Sequence, residues 1–212
     1  MNYTEIVDTS LSYADRQDTE TIAKIDMFLR IVEARINRFL STQKMLVSVA
    51  LPLVTDQINY QLPNDFQSIH NCYFKNTANE SIRNPLQLVT PEEYNVYLNT
   101  STAINHFIVM GGDIKIDYKP TATDVTEWEL VLKYFSRLVP LSTAVDTNWI
   151  SEVNPDCYIF GLITEINAFV KDAASTQFWN ERFTAALNEI KVQDTDYKWN
   201  DGPLFTRIDG TI

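Results

Sequence analysis

A chain of 212 residues, 45% hydrophobic and 21% charged, can bury a sizeable core and does not read as a disordered sequence. Its net charge of −11 argues against nucleic acid as a binding partner, because neutralising phosphates takes clustered Lys and Arg, although an acidic wall suits DNA that has to slide past without sticking. The start, MNYTEIVDTSLSYADRQD, lacks the basic and apolar stretches of a secretory signal, and the longest apolar run, MLVSVALPLV, is too short to span a bilayer.

Two cysteines, Cys72 and Cys157, are too few for a disulfide framework and are expected to be reduced and buried. A soluble protein made in a cytoplasm, with no membrane contact, is the expectation.

In chain order, the first forty residues read as helical. Ile22, Ile25, Leu29, Val32, Ile36 and Phe39 recur at spacings of three and four, which predicts one helix over about 18–40. Asp18 or Thr19 can cap its start. A shorter helix over about 4–14 can fold back on that stripe through Ile6, Leu11 and their neighbours.

From Lys44 the period changes. MLVSVALPLV, DQINYQLP and SIHNCYF are β-branched and aromatic segments broken by proline, and they read as strands. TPEEYNVYL is a short helix: Thr90 caps, Pro91 takes the first helical position and Glu93 completes a capping box. HFIVMGGDIKIDY reads as a hairpin turned by Gly111-Gly112, whose residues accept positive φ. EWELVLKYFSRL alternates, placing Trp128, Leu130, Leu132 and Tyr134 on one face.

Past Pro140 the chain returns to helix. Asn154-Pro155-Asp156 is read as a helix start in which Asn154 caps, Pro155 presets φ and Asp156 meets the positive end of the dipole. Tyr158, Leu162, Ile166 and Phe169 then form a stripe, widened by Ile159, Ile163 and Val170, so cover on more than one side is expected. A second helix, over about 176–193, carries Phe178, Trp179, Phe183, Leu187 and Ile190. From Asp194 no helical stripe continues, and Tyr197, Trp199, Phe205 and Ile208 stand among turn formers, where large apolar groups need something to cover them.

The expected fold is α+β: a helical bundle formed by the N- and C-terminal helices, with a central β-rich insertion and an extended C-terminal tail. Residues 1–43 and 140–195 are assigned to the helical body, 44–139 to the β-rich module and 196–212 to the tail.

Chemistry is harder to find. With five glycines and one adjacent pair, no phosphate-cradling loop is present. His70 and Cys72 form an H-x-C pair that can face one side of a strand, but zinc asks for two more ligands and only His106 and Cys157 remain. A Cys–His nucleophile pair would draw on the same residues. Asp113, Asp117, Glu127 and Glu129 can cluster across the hairpin and its neighbour, though alternating acids on a sheet are also the ordinary solvated face. No catalytic residue, cofactor site or metal site is assigned.

Several segments in order carry a resemblance: SYADRQDTETIAKIDMFLRIVEARINRFL, YQLPNDFQSI, NPLQLVTPEEYNVYL, IVMGGDIKIDYKP, LVLKYFSRLVPLS, TNWISEVNPDCYIFGLITEINAFV and FWNERFTAALNEI. The ordered set, centred on the Thr-Asn-Trp to Pro-Asp-x-Tyr passage, resembles the portal adaptors, or head–tail connectors, of tailed bacteriophages. The final tail departs from that resemblance.

The resemblance implies a non-enzymatic virion protein, assembled in the cytoplasm of a bacterial host. Its partners would be the portal protein, neighbouring copies of itself in a ring commonly of twelve, and a downstream tail component. DNA would pass through the lumen without specific binding, and twelve copies would bring a charge of about −132 around it. Portal or subunit contact is expected from Trp149, Tyr158 and Trp179 of the helical body and from Tyr197, Trp199, Phe205 and Ile208 of the tail, with Trp199 and Phe205 as portal anchors. The alternative from composition is a monomeric ligand- or carbohydrate-binding module using Trp128 or Trp149.

Overall fold

A computed structural model describes residues 1–100 and 103–200, with side chains except at 99–100 and 196–200. The first half of the chain runs α1 (Tyr3–Tyr13), α2 (Thr19–Ile22), α3 (Ile25–Phe39), β1 (Leu46–Leu51), β2 (Asn59–Gln61), β3 (Phe66–Asn76), β4 (Arg83–Pro85), β5 (Gln87–Leu88) and α4 (Pro91–Thr100). The second half runs β6 (His106–Met110), β7 (Asp113–Ile116), α5 (Ala122–Glu127), β8 (Trp128–Ser136), α6 (Trp149–Val153), α7 (Pro155–Phe169) and α8 (Ala173–Asn200). The fold is α+β. Contacts divide it into two compact units, Met1–Lys44 with Leu138–Ile212, and Met45–Arg137.

In the first unit α7 is the central element, packed by α1, α3, α6 and α8. Tyr158, Leu162, Ile163 and Ile166 are fully buried, which is why its sequence is apolar over so broad an arc. The breadth of that stripe is therefore met inside the chain, by its own neighbours. Gly161 makes the closest approach possible: a Cβ there would lie 2.6 Å from Val32 Cγ1 of α3 and 3.3 Å from Phe183 of α8. Arg35 of α3 joins three helices, pairing with Glu165 of α7 at 2.9 Å, bonding Asn180 of α8 and lying over the Phe183 ring at 4.7 Å.

Three helical expectations need correction. The single helix over 18–40 is broken into α2 and α3 by a turn at Ala23–Lys24, which turns Ile22 out to 48% exposure. Asp18 does cap, but it caps α2, accepting from Thr21 N at 2.8 Å. Secondly, α1 packs chiefly on α7, and it is tied to α3 where the Tyr3 hydroxyl donates to Asp26 at 2.7 Å. Thirdly, α8 does not stop near Asp194: residues 196–200, expected to begin the extended tail, are helical through Asn200.

The second unit is a pair of four-stranded sheets. One has the order β1-β8-β3-β4, antiparallel throughout; the other, β2-β7-β6-β5, is antiparallel except for the β5–β6 pair. Ile114 and Ile116 of β7 share one core with Leu130, Leu132 and Tyr134 of β8, so the two sheets close over each other as a sandwich. The hairpin turns as expected, with Gly111 and Gly112 at φ 68° and 88° and Met110 opposite Asp113. Thr90 and Glu93 form the reciprocal bonds that start α4.

Candidate assembly surface

The passage from Asp146 to Gly161 is built around one asparagine. Asn148 Oδ1 accepts from the amides of Ile150 and Ser151 at 3.1 Å, and Ser151 Oγ accepts from Asn148 N at 2.9 Å, a capping box that starts α6. The amide nitrogen of the same side chain donates to the Val139 carbonyl at 2.9 Å and to the Tyr158 hydroxyl at 2.7 Å. Tyr158 in turn donates to Glu33 Oε1 at 3.4 Å, which also accepts from Leu141 N at 2.7 Å. Burial pushes the Glu33 carboxyl above the usual carboxylate range, with the Leu141 and Tyr158 bonds opposing the shift. Burial likewise raises the Tyr158 phenol.

Two sequence assignments change here. Asn154 stands at the start of α7 but makes no side-chain cap; Asn148 does that work for α6, one short helix earlier. Tyr158, offered as a contact residue, is fully buried inside its own unit and presents nothing to a neighbour.

The network fixes an acidic corner. Val139, Val145 and Val153 are exposed there, beside the exposed carboxylates of Asp146 and Glu152. Trp149 is half-buried, with Lys44 Nζ 5.5 Å above its ring.

A second surface forms where α1 ends against α8. Trp179 is half-buried and ringed by aromatics: Tyr13 at 6.2 Å edge-on, Phe160 at 5.7 Å, and Phe178 at 5.3 Å edge-on. Tyr13 stays 64% exposed and Phe178 49%, so the cluster is left open to solvent. The Arg182 guanidinium lies 4.8 Å from the Phe178 ring centre and 5.7 Å from that of Trp179. Phe178 shares the helical spacing of Phe183, Ala186, Leu187 and Ile190 but is exposed, whereas those four are buried.

Tyr197 and Trp199 fall in the last turns of α8, but their side chains are not among those described; Phe205 and Ile208 lie outside the described residues.

The candidate chemical groups are dispersed. A register shift between Ile69 and Asn71 makes His70 the extra residue of a bulge, so His70 is exposed against Phe135 while Cys72 is buried. Desolvation pushes both Cys72 and Cys157 to about 12, leaving them as thiols. The four acids are spread over three elements: Asp113 opens β7 and Asp117 follows it in one sheet, Glu127 ends α5, and Glu129 pairs with Lys75 at 2.6 Å in the other sheet. Among the described residues no group of three or more His, Cys, Asp or Glu is placed to hold a metal ion.

Sequence reasoning missed one buried pair. Asp117 is sealed, accepting from the amides of Asn105 and His106 and lying 2.8 Å from His106 Nδ1, while Tyr97 stacks on that imidazole at 3.9 Å. Nothing in the spacing announces it, because β6 and β7 meet only once the hairpin is in register. Trp128, an indole considered for sugar binding, lines a cavity of about 200 Å³ together with Leu53, Phe74, Tyr118, Asn84 and Asp124. Asp124 is already committed to capping α5 through Thr121.

The sequence profile of the family described as SU10 adaptor protein matches residues 1–207. No curated protein matches the chain.

Proposed function

Because the chain belongs to the SU10 adaptor protein family, we propose that it is a structural component of a tailed-phage particle that forms a ring beneath the portal and joins the capsid to the tail. The helical unit builds the ring by lateral packing. The β-sandwich unit faces the tail machinery, and DNA passes through the lumen. The C-terminal segment docks on the portal through Trp199, in the last turn of α8, and Phe205 beyond it.

The observation that carries this reading is the open aromatic surface around Trp179. Trp, Tyr and Arg are the residues that concentrate binding energy at interfaces, and here they are gathered at the surface of the unit and left uncovered. The net charge of −11 supports the lumen assignment, since like charge keeps a polyanion from adhering. No catalytic step is assigned.

The test is direct. Full-length chain is mixed with a purified portal ring, and the copies bound are counted by mass photometry. A fixed multiple matching the portal's own symmetry supports the reading. Failure to bind the portal rejects it. Removal of residues 196–212 is expected to abolish portal binding while leaving the fold intact; unchanged binding rejects the tail assignment alone.

A further inference from the structure

We propose that neighbouring copies meet head to tail, the aromatic and arginine surface of one copy seating the acidic corner around α6 of the next. This rests on the ring reading above and names its two contacting faces. A closed ring of identical copies, beyond a dimer, needs two different and complementary surfaces on each copy, because a face that pairs with itself stops at two. The helical unit carries such a pair.

On the first face, Arg182 is stacked over Phe178 and Trp179, and among the described residues no carboxylate lies within ion-pair distance of it. The guanidinium lies over two rings set at 82° to each other, and among the described residues its N–H groups make no hydrogen bond. It is set to receive a carboxylate that arrives together with apolar surface. Tyr13 and Phe178, 64% and 49% exposed, supply the apolar part.

The second face offers that combination. Between Arg137 and Lys171 the sequence has no Lys or Arg, and around α6 it has Asp146, Glu152 and Asp156. Glu152 and Val153 are adjacent on α6, a carboxylate beside an aliphatic side chain that is 55% exposed. Among the described residues neither nearby cation forms an ion pair with Asp146 or Glu152. The Met1 ammonium donates to the Ser151 carbonyl at 2.7 Å, and Lys44 sits over the Trp149 ring.

Helix α1 shows that the faces are distinct. Its first residue, Tyr3, donates its amide to the Asp146 carbonyl at 2.8 Å, and its last, Tyr13, meets Trp179. Ten steps of helical rise separate those ends by about 15 Å. One face lies at each end of α1, within a single compact unit, as a head-to-tail contact requires.

Charge reversal tests the pairing. Full-length Arg182→Glu, Glu152→Arg and the double variant are compared for self-association by sedimentation velocity and for copies bound per portal ring. Both positions are exposed, so melts monitored by circular dichroism are expected to match the parent. Each single variant is expected to weaken self-association about tenfold, since it sets like charges face to face. The double variant is expected to recover it, and so is an equimolar mixture of the two single variants, because copies that alternate set opposite charges together at every contact, two reversed faces at one and two unaltered faces at the next. Single variants that assemble like the parent, or a double variant as defective as the singles, overturn this pairing while leaving the ring intact. A parent chain that stays a single copy both in solution and on the portal overturns the ring reading and this pairing with it.

Discussion

Glu33 of α3 accepts a 2.7 Å hydrogen bond from the amide of Leu141, 108 positions later in the chain, and the carboxyl is only 5% exposed. The bond pins the segment that leads into α6 against the helical unit. Burial raises the Glu33 pKa in the folded chain, so between the ordinary carboxylate range and that raised value the folded state holds a proton that the unfolded state has lost. Stability therefore falls as pH rises through that window, and below it the penalty is absent. Glu33→Gln keeps an oxygen for the Leu141 amide and carries no charge. Its stability relative to the parent is expected to grow from pH 4 to pH 8, measured by urea unfolding at each pH. A difference that does not vary with pH would show that the buried carboxyl carries no such penalty.

Asn148 is expected to be the most sensitive polar position of the helical unit. Asn148→Ala removes the α6 cap and the donor shared by the Val139 carbonyl and the buried Tyr158 hydroxyl. Losing a cap costs about 1 kcal/mol, and leaving buried partners unsatisfied adds about 1–3 kcal/mol. Tyr158→Phe, which leaves the cap and the Val139 bond in place, is expected to cost less. Denaturant titration of the two variants ranks them, and the reverse order would contradict the network described.

Gly161 is required by contact, not by conformation. Gly161→Ala would set its methyl 2.6 Å from Val32 Cγ1. Overpacking of about 1–3 kcal/mol is expected to exceed the roughly 1 kcal/mol that alanine gains in a helix. The double variant with Val32→Ala should recover most of the loss. A single variant as stable as the parent would mean that α3 and α7 can separate freely.

The two thiols are expected to be silent in the native chain. Cys72 and Cys157 are buried and pushed to about 12, so an aromatic disulfide reagent at pH 8 should label neither until denaturant is added. Rapid labelling of either without denaturant would show that its surroundings open locally.

Much of this architecture is legible in the sequence wherever the cause is local. Gly111-Gly112, the Thr90-Pro91-Glu93 start and the alternation of Trp128 to Tyr134 each declare their structure within a few residues. The break between α2 and α3 is hidden because Ile22 keeps the apolar spacing across the turn. The five-residue α6 is hidden for another reason: its capping box is closed by Ser151 rather than Glu or Gln, and the Asn-Pro-Asp that follows draws the eye to a later start.

The candidate surface was only half legible. Trp179 can be picked out, but whether an aromatic at helical spacing faces the core depends on the partner helices. Phe178 and Phe183, five positions apart on α8, ended on opposite sides of that choice. Tyr158 was misplaced because the breadth of the α7 stripe suggested an outside neighbour, when α1, α3, α6 and α8 already surround it.

Electron cryomicroscopy of the full-length chain bound to its portal is the most direct measurement. A closed ring under the portal is expected, with Trp179 and Arg182 of each copy facing the α6 corner of the next and an acidic lumen wide enough for duplex DNA. A lone copy, or a copy attached elsewhere on the particle with the surface around Trp179 left in solvent, would contradict it.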